Sequence, residues 1–281
     1  MNRRTFIQSA GAATAALAAG VGCSKAGVDI VANRTLDRVG IQLYSVRGLM
    51  EDDFAGTLAA IAEAGYDEVE FHDYFGHNPT DVRRFLDGVG LAAPASHVPL
   101  SAFGENTPAT LDAAHTIGND YLVVAWVEPE ERRSLDDFRR IFDQLNAAGE
   151  ACNGAGLAFA YHNHDFEFEP LDGELPYDLL LEACPESLVK LEMDLFWIQK
   201  AGGDPLDYFE RAPGRYHLCH VKDADAAFNQ TDVGDGVLDF TSVFQRSEAA
   251  GLKYYFVEGD NPPDPLAFAR NSRVYLENLR F

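Results

Sequence analysis

The sequence predicts one closed barrel of eight parallel β-strands, each followed by an α-helix, between residues 37 and 281. Short apolar runs alternate eight times with amphipathic stretches, and this alternation is typical of a parallel sheet covered by helices. Eight such units in about 245 residues match the usual size of a (β/α)8 barrel. No glycine-rich phosphate loop follows the first apolar run, which argues against an open, dinucleotide-binding sheet.

The elements follow one another without a visible linker. The first strand is the apolar run 38–46, and the next helix carries Phe54, Leu58 and Ile61 on one face before Gly65, a residue suited to end a helix. The other predicted strands are 66–72, 91–98, 120–127, 157–164, 188–194, 216–222 and 253–259. The predicted helices are 53–64, 79–89, 108–118, 134–154, 177–183, 204–211, 239–250 and 264–279.

Composition limits the partners. The chain has 281 residues, of which 47% are hydrophobic and 24% charged, and its formal net charge is −23. Such an excess of acid argues against nucleic acid or an anionic membrane surface as a partner. We expect a small-molecule partner, while the oligomeric state stays open.

The first 25 residues are typical of an export signal. Arg3 and Arg4 precede Phe6-Ile7 and an Ala-rich stretch, an arrangement that resembles a twin-arginine signal peptide. Cys23 follows a small-residue run that partly resembles a lipoprotein processing box, and ordinary cleavage nearby is the alternative. The sequence thus predicts a signal peptide at 1–25, a mobile tether at 26–36 and export to the periplasm, with membrane attachment only through a lipid on Cys23.

Three cysteines remain beyond the predicted signal, Cys152, Cys184 and Cys219, and they form no CxxC pair. Twin-arginine export carries folded proteins, so thiols could stay reduced and a metal could be loaded before export. We therefore expect three buried, unreactive thiols.

Polar clusters end the last four strands of the predicted barrel. The side chains that could bind a divalent cation are His162 or His164, Asp194, His220 and Glu258. They recur about every 30 residues, the length of one strand-plus-helix unit. Because the C-terminal ends of all barrel strands meet at one mouth, these residues are expected to converge.

The side-chain types predict the chemistry of the cluster. Alternation along a strand places His162 and His164 on one face, and likewise Glu192 with Asp194 and Glu258 with Asp260. Mixed imidazole and carboxylate ligands suit one Mn, Zn, Co or Fe(II) ion, and the absence of thiolate at the strand ends argues against a structural zinc site. Such an ion could hold a sugar carbonyl while a C–H proton is removed.

Further polar and aromatic residues are predicted at the same mouth. Substrate contacts, or support of the metal ligands, are expected from the ends of strands two, three, four, six and seven, through Glu70, His72, His97, Trp126, Trp197 and Lys222. Core packing is the alternative for the two tryptophans. A structural hydrogen bond is the alternative for any single histidine.

Several motifs resemble the sugar phosphate isomerase/epimerase group, the xylose-isomerase-like TIM barrels related to endonuclease IV. They are Gly-x-Gln-Leu-Tyr-Ser-Val-Arg at 40–47, Tyr-His-Asn-His at 161–164, His-Val-Lys-Asp at 220–223, Val-Gly-Asp-Gly at 233–236 and Val-Glu-Gly at 257–259. The resemblance implies a metal set of Glu, Asp, His and Glu from strands five to eight. The last three correspond to Asp194, His220 and Glu258, and the first falls on His162.

The resemblance also implies the reaction. In the epimerases, two metal-bound glutamates exchange a proton on opposite faces of the substrate. Here His162 stands at the first position, so Glu258 would be one catalytic group, with His162 or His164 as the other. The expected function is a metal-dependent sugar or keto-sugar isomerase or epimerase. Alternatives are a lyase or hydratase acting on 3-keto-glycosides, a non-catalytic carbohydrate-binding protein and, against the charge, a DNA repair nuclease.

Overall fold

Eight parallel strands close into a barrel in the computed structural model, which describes residues 34–281. The predicted (β/α)8 fold is confirmed. Going round the barrel, neighbouring strands also follow one another in the chain, and the last strand pairs with β1. The barrel strands are β1 (Gly40–Gln42), β2 (Glu68–Phe71), β3 (Ala92–His97), β4 (Tyr121–Val124), β5 (Ala158–His162), β6 (Lys190–Asp194), β7 (Tyr216–Val221) and β10 (Tyr254–Val257). Between the last two, β8 (Asp223–Ala224) and β9 (Gln230–Thr231) form an antiparallel hairpin.

Helices surround the barrel in the order that the sequence predicts. They are α1 (Arg47–Asp52), α2 (Phe54–Glu63), α3 (Pro79–Val89), α4 (Thr107–Ile117), α5 (Leu135–Gly154), α6 (Pro176–Ala183), α7 (Leu195–Lys200), α8 (Pro205–Arg211), α9 (Phe240–Gln245), α10 (Ser247–Ala250) and α11 (Pro265–Asn278). The helix expected at 239–250 is two helices, because the chain leaves helical geometry at Arg246.

Several strands end before the predicted residue: β4 ends at Val124, β5 at His162 and β10 at Val257, so His164 follows its strand, and helix α1 was not predicted. The first strand stops at Gln42, not at residue 46, since the Gln42 side chain accepts a hydrogen bond from the Tyr44 backbone N–H at 3.1 Å and caps a 3-10 turn. The unpredicted helix α7 begins directly after β6. Its N-cap is Asp194, whose Oδ1 accepts from the backbone N–H groups of Phe196 and Trp197.

The core has two layers. A large cluster of buried aliphatic and aromatic side chains lies between the strands and the helices. A small one fills the barrel interior, built from Ala95, Tyr121, Val123, Ala160, Leu218 and Phe256. Because this inner layer seals the lower part of the barrel, the barrel is a packed core with a mouth above it.

The loop after β7 is held by one carboxylate. Asp223 accepts hydrogen bonds from the backbone N–H groups of Gly234, Gly236 and Leu238 at 2.9–3.2 Å. A Cβ at Gly236 would overlap the Asp223 side chain, so this close approach needs glycine. The Val-Gly-Asp-Gly motif therefore shapes the loop.

The predicted signal peptide at 1–25, Cys23 and most of the predicted tether lie outside the described residues. Arg34, within the segment expected to be a tether, exchanges backbone hydrogen bonds with Phe281 at 3.0 and 3.1 Å. Cys152, Cys184 and Cys219 are buried and unpaired, as expected. None of the helices between residues 34 and 281 is both long enough and apolar enough to cross a membrane.

A buried carboxylate fixes the turn that follows β5. Glu167 accepts hydrogen bonds from the Tyr161 hydroxyl at 2.7 Å and from the His164 backbone N–H at 2.8 Å. Burial raises the pKa of Glu167 to about 7, and these hydrogen bonds only partly oppose the rise. Glu167 thus sets the backbone from which His164 projects.

We expect Gly149→Ala to lower the free energy of unfolding by about 1–3 kcal/mol, because the added Cβ would overlap the backbone carbonyl oxygen of Leu188. Gly154→Ala is the matched control in α5: among the described residues, no atom lies within 4 Å of its added Cβ. The control should gain about 0.5–1 kcal/mol from helix propensity. Urea unfolding of both variants measures the contrast, and equal stabilities would contradict the close packing.

We expect Glu167→Gln to remove a pH-dependent destabilisation. Because the pKa of Glu167 is raised on folding, the folded state binds the extra proton, and wild-type stability falls as pH rises from about 4.5 through about 7. The stability of Glu167→Gln relative to wild type should therefore increase by about 1–3 kcal/mol between pH 5 and pH 8. Denaturant unfolding at both values, with the exposed Glu169→Gln as control, measures this; a gap that does not grow would refute it.

Candidate metal centre

The alternation of strand residues brings the polar cluster together. Ala160 on β5, Leu218 on β7 and Phe256 on β10 belong to the inner layer. Two positions further along the same strands come His162, His220 and Glu258, so these side chains point into the same interior one layer higher. The sequence prediction of convergence at the mouth rests on this spacing.

His220 lies at the centre and is bound on both sides of its ring. Its Nε2 lies 2.7 Å from Glu70 Oε2 and 3.3 Å from Glu192 Oε2. Its Nδ1 lies 2.7 Å from Glu258 Oε2 and 3.9 Å from Asp194 Oδ2. Glu70 thus orients the ring from behind, and Nδ1 faces the carboxylates at the mouth.

The ring of His162 is also bound on both sides, but its two nitrogens exchange the roles that they have in His220. Its Nδ1 lies 3.1 Å from Glu192 Oε2, and its Nε2 lies 3.8 Å from Asp194 Oδ2. Glu192 also lies 2.9 Å from His97 Nε2, so one carboxylate supports three imidazoles. A carboxylate that holds the far nitrogen of a histidine is the usual support of a metal-bound imidazole.

Asp194 divides its two oxygens between structure and site. Oδ1 caps α7, whereas Oδ2 makes no hydrogen bond within residues 34–281 although Lys222 Nζ lies 3.0 Å away. Asn163 fixes the backbone here, because its Oδ1 accepts from the Asp194 N–H at 3.0 Å. Asp194 is therefore both the cap of α7 and a candidate metal ligand.

Three side chains, Asp194, His220 and Glu258, bring donor atoms together at the mouth, and a fourth donor, His162 Nε2, lies 3.8 Å from Asp194 Oδ2. We call these four residues the four-donor set. The donor atoms of Asp194, His220 and Glu258 lie within 4.8 Å of one another. A second group with this spacing consists of His97, His162, Glu192 and His220. We favour the four-donor set, because both of its histidines have their other nitrogen occupied by a carboxylate.

Lys222 carries the neighbouring positive charge. Its Nζ lies 2.8 Å from Glu258, 3.0 Å from Asp194 and 3.0 Å from Asp260, and only 2% of its side chain is exposed. Burial lowers the pKa of Lys222, but Asp194 and Glu258 outweigh it and raise the pKa above its ordinary value. The ammonium therefore stays charged and partly neutralises the carboxylates.

Burial and the neighbouring charges also shift the pKa values of His220, Glu258 and His162. Burial disfavours the imidazolium of His220, yet Glu192 and Glu258 hold its pKa well above the usual range. The pKa of Glu258 is held well below its usual range by Lys222 and His220, against the effect of burial. Burial, assisted by His220, lowers the pKa of His162 to about 3. His220 and Lys222 thus place positive charge beside Glu192, Asp194 and Glu258, which is what a divalent ion would also supply.

The residues fit one divalent metal ion. The four-donor set combines two imidazole nitrogens and two carboxylate oxygens, the mixed donors of Mn, Zn, Co and Fe(II) sites. Asp194 Oδ2 has no hydrogen-bond partner in the described part of the chain, and both imidazoles have supporting carboxylates. The described residues therefore form a site that can hold a divalent metal, as predicted.

A cavity of about 1380 Å³ opens above the cluster. It is lined by several of the predicted residues, namely His72, His97, Trp126, His162, His164, Trp197, Lys222 and Glu258. Glu70 does not line it and lies below, bound to His220, His97 and Gln42. The structure therefore gives Glu70 a supporting position.

Aromatic contacts define one wall of this cavity. The His164 ring lies 5.0 Å from His162, 5.1 Å from Trp126 and 5.7 Å from Phe166, centroid to centroid. Burial and His162 lower the pKa of His164, so its imidazole is neutral and a weak base. Trp197 also contacts the His164 ring, at 5.6 Å between centroids, and Lys222 Nζ lies 5.4 Å from its ring centroid.

His72 stands apart from the cluster. Its ring makes edge contacts with Tyr44 and Phe75 at 5.1 and 5.3 Å, and burial lowers its pKa to about 4. It lines the cavity without an ion pair to the four-donor set among the described residues. A role toward substrate remains a prediction.

Sequence reasoning missed the central place of Glu192 and the role of Asp260. Both had been placed on the same strand faces as Asp194 and Glu258, so the two-residue period was the available indication. Arg132, which lines the cavity from the loop after β4, had no such indication because loops have no regular period.

Comparisons with known proteins agree with this fold. A family model described as xylose isomerase-like TIM barrel matches residues 58–279. Inosose dehydratase from Geobacillus kaustophilus is 23% identical, over 79% of this chain and 86% of the relative. A sugar phosphate isomerase/epimerase from Parabacteroides distasonis is 25% identical with a TM-score of 0.75, over 89% of this chain and 95% of that one. An IolI protein solved with a zinc atom shares the fold, with a TM-score of 0.68 at 15% identity over 87% and 99% of the two chains. Since the family model spans most of its length, this chain belongs to the xylose isomerase-like TIM barrel family.

Proposed function

We propose that this chain is a divalent-metal-dependent enzyme that removes a proton next to the carbonyl group of a keto-sugar or a related polyhydroxy ketone. The observation that carries the proposal is the four-donor set at the floor of a large cavity, with Lys222 beside it. Sugar phosphate isomerase/epimerase and inosose dehydratase, the names of two similar proteins, both describe chemistry on such substrates.

His162, Asp194, His220 and Glu258 would hold the ion. When bound, a divalent ion supplies the positive charge that stabilises the substrate oxygen as the neighbouring C–H bond breaks. Glu258 is our candidate base, because its carboxylate is ionised and lines the cavity. Lys222 presents a fixed ammonium to the same space and would stabilise negative charge on a substrate oxygen.

Isomerisation or epimerisation differs from elimination in the group that is protonated after the substrate C–H bond breaks. Epimerisation needs a second acid/base group on the opposite face of the substrate, whereas elimination needs an acid that protonates the leaving hydroxyl. The candidates opposite Glu258 are His162 and His164, both histidines on the strand five side. This asymmetric pair, together with the similarity to a dehydratase, favours a lyase as the second candidate function.

A non-catalytic carbohydrate-binding protein would need neither the ion nor the base. The predicted export to the periplasm, with or without a lipid on Cys23, is compatible with all three candidates and forms a separate proposal. Two experiments distinguish the candidates.

We expect Asp194→Asn to weaken metal binding more than tenfold, since even residues that only support ligands change affinity about 10–100-fold. Asparagine can still cap α7 through its side-chain oxygen, so the fold should be retained. Metal analysis after dialysis against Mn²⁺ or Zn²⁺ measures the loss. Asp260→Asn, which touches Lys222 and lies outside the four-donor set, is the control and should keep its ion; unchanged affinity in Asp194→Asn would remove Asp194 from the ligand set.

We expect Glu258→Gln to lower turnover by about 10²–10⁴-fold, because the base would be lost while the side-chain shape is kept. The assay is proton NMR in deuterated water with metal-loaded protein and a panel of sugars and keto-sugars. Deuterium at one carbon without loss of water indicates isomerisation or epimerisation, and loss of water indicates the lyase. A wild-type rate in Glu258→Gln would exclude Glu258 as the base, and metal-loaded wild type that exchanges no C–H proton would favour the non-catalytic alternative.

A further inference from the structure

Arg132 reaches the cavity wall from the loop after β4, beyond the four-donor set. Its Nε donates a hydrogen bond to the Val127 carbonyl oxygen at 3.0 Å. Its guanidinium carbon lies 3.3 Å from the centroid of the Phe166 ring and 5.2 Å from that of Trp126. One hydrogen bond and two aromatic rings therefore fix the plane of the guanidinium.

The terminal nitrogens of this guanidinium are unused. Within residues 34–281, neither Nη1 nor Nη2 of Arg132 makes a hydrogen bond to the protein, and no carboxylate forms an ion pair with it. The cavity has a second cation, Lys222, but three carboxylates share it. Arg132 is thus the cation of the cavity lining whose terminal N–H groups have a fixed orientation and no hydrogen-bond partner among the described residues.

The surrounding charge makes this arrangement selective. Glu128, Glu131 and Asp165 also line the cavity, and the whole chain has a net charge of −23. An anion would be repelled by most of this surface. A planar fork of N–H groups is the side chain best suited to bind one oxyanion against such a background, because it pairs with two oxygens at once.

A series of ring contacts connects Arg132 to the metal centre along one wall of the cavity. Phe166, which stacks on Arg132, contacts His164 at 5.7 Å, and His164 contacts His162 at 5.0 Å. Two rings therefore lie between the guanidinium and His162 of the four-donor set. A molecule whose carbonyl lies at the metal centre could place its far end at Arg132.

We propose that Arg132 is a specificity-determining residue that binds a carboxylate or phosphate group of the substrate, at the end remote from the carbonyl. This inference rests on the proposed function in one respect: the cavity is taken as the substrate site. It narrows the substrate class to acidic sugars, either sugar acids or sugar phosphates. A purely structural Arg132 would instead only join the loops after β4 and β5.

Calorimetric titration of metal-loaded protein with D-glucuronate, D-glucose 6-phosphate and D-glucose tests the proposal. Wild type should bind at least one acidic sugar about tenfold or more tightly than glucose, a difference of about 1.4 kcal/mol. Whichever acidic sugar binds more tightly identifies the oxyanion. Arg132→Met should lose this preference while keeping affinity for glucose, and Arg132→Lys should keep part of it.

Arg133→Met is the matched control, because Arg133 is the next residue, is exposed and does not line the cavity. It should keep the preference. The readout is sugar binding and not turnover, so a wild type that shows the preference but exchanges no C–H proton would support this inference while contradicting the proposed function. Equal wild-type affinity for all three sugars, a preference that survives in Arg132→Met, or an equal loss for all three in that variant would each overturn the proposal.

Discussion

The structure depends on balancing buried negative charge at the barrel mouth. Glu70, Glu192, Asp194 and Glu258 are all 6% exposed or less. An ionised carboxylate taken out of water costs several kcal/mol unless cations and hydrogen bonds replace the lost solvent. Here His97, His220 and Lys222 supply part of that replacement, at distances of 2.7–3.3 Å from the carboxylate oxygens. A site that stabilises this many buried carboxylates is also suited to bind a divalent metal ion.

The inner layer makes this arrangement possible. Below the polar cluster, residues such as Leu218 and Phe256 fill the barrel and exclude water from beneath it. The same strands therefore contribute stability at one level and chemistry at the next, two residues further on. Because the two functions occupy different positions, polar residues at the mouth can change with little effect on the core.

The predictable part of the site is the part built on strands. From the sequence alone, the spacing of His162, Asp194, His220 and Glu258 predicts the strand, the face and the end of the barrel at which each side chain lies. Strand periodicity could not rank Glu192 above its neighbours, because its importance comes from three histidines on three other strands. Helix α7 was missed for a related reason: six residues are too few for a helical period to show, and its start depends on the Asp194 cap.

Under the proposed function, His162 stands on β5 where the family resemblance implies a carboxylate ligand, and this would have an electrostatic consequence for catalysis. Asp194 and Glu258 together cancel the charge of a divalent ion, and Asp260 offsets Lys222. The four-donor set with its ion and lysine is then close to neutral. A third carboxylate at the position of His162 would make it anionic and would oppose the negative oxygen that forms when a proton leaves the substrate. The neutral imidazole removes that opposition, and it does so at the cost of the symmetric pair of carboxylates that proton exchange on both faces would use. A site of this kind is better arranged to lose a proton from one face than to return it on the other, which is the physical reason that elimination stands beside epimerisation for this chain.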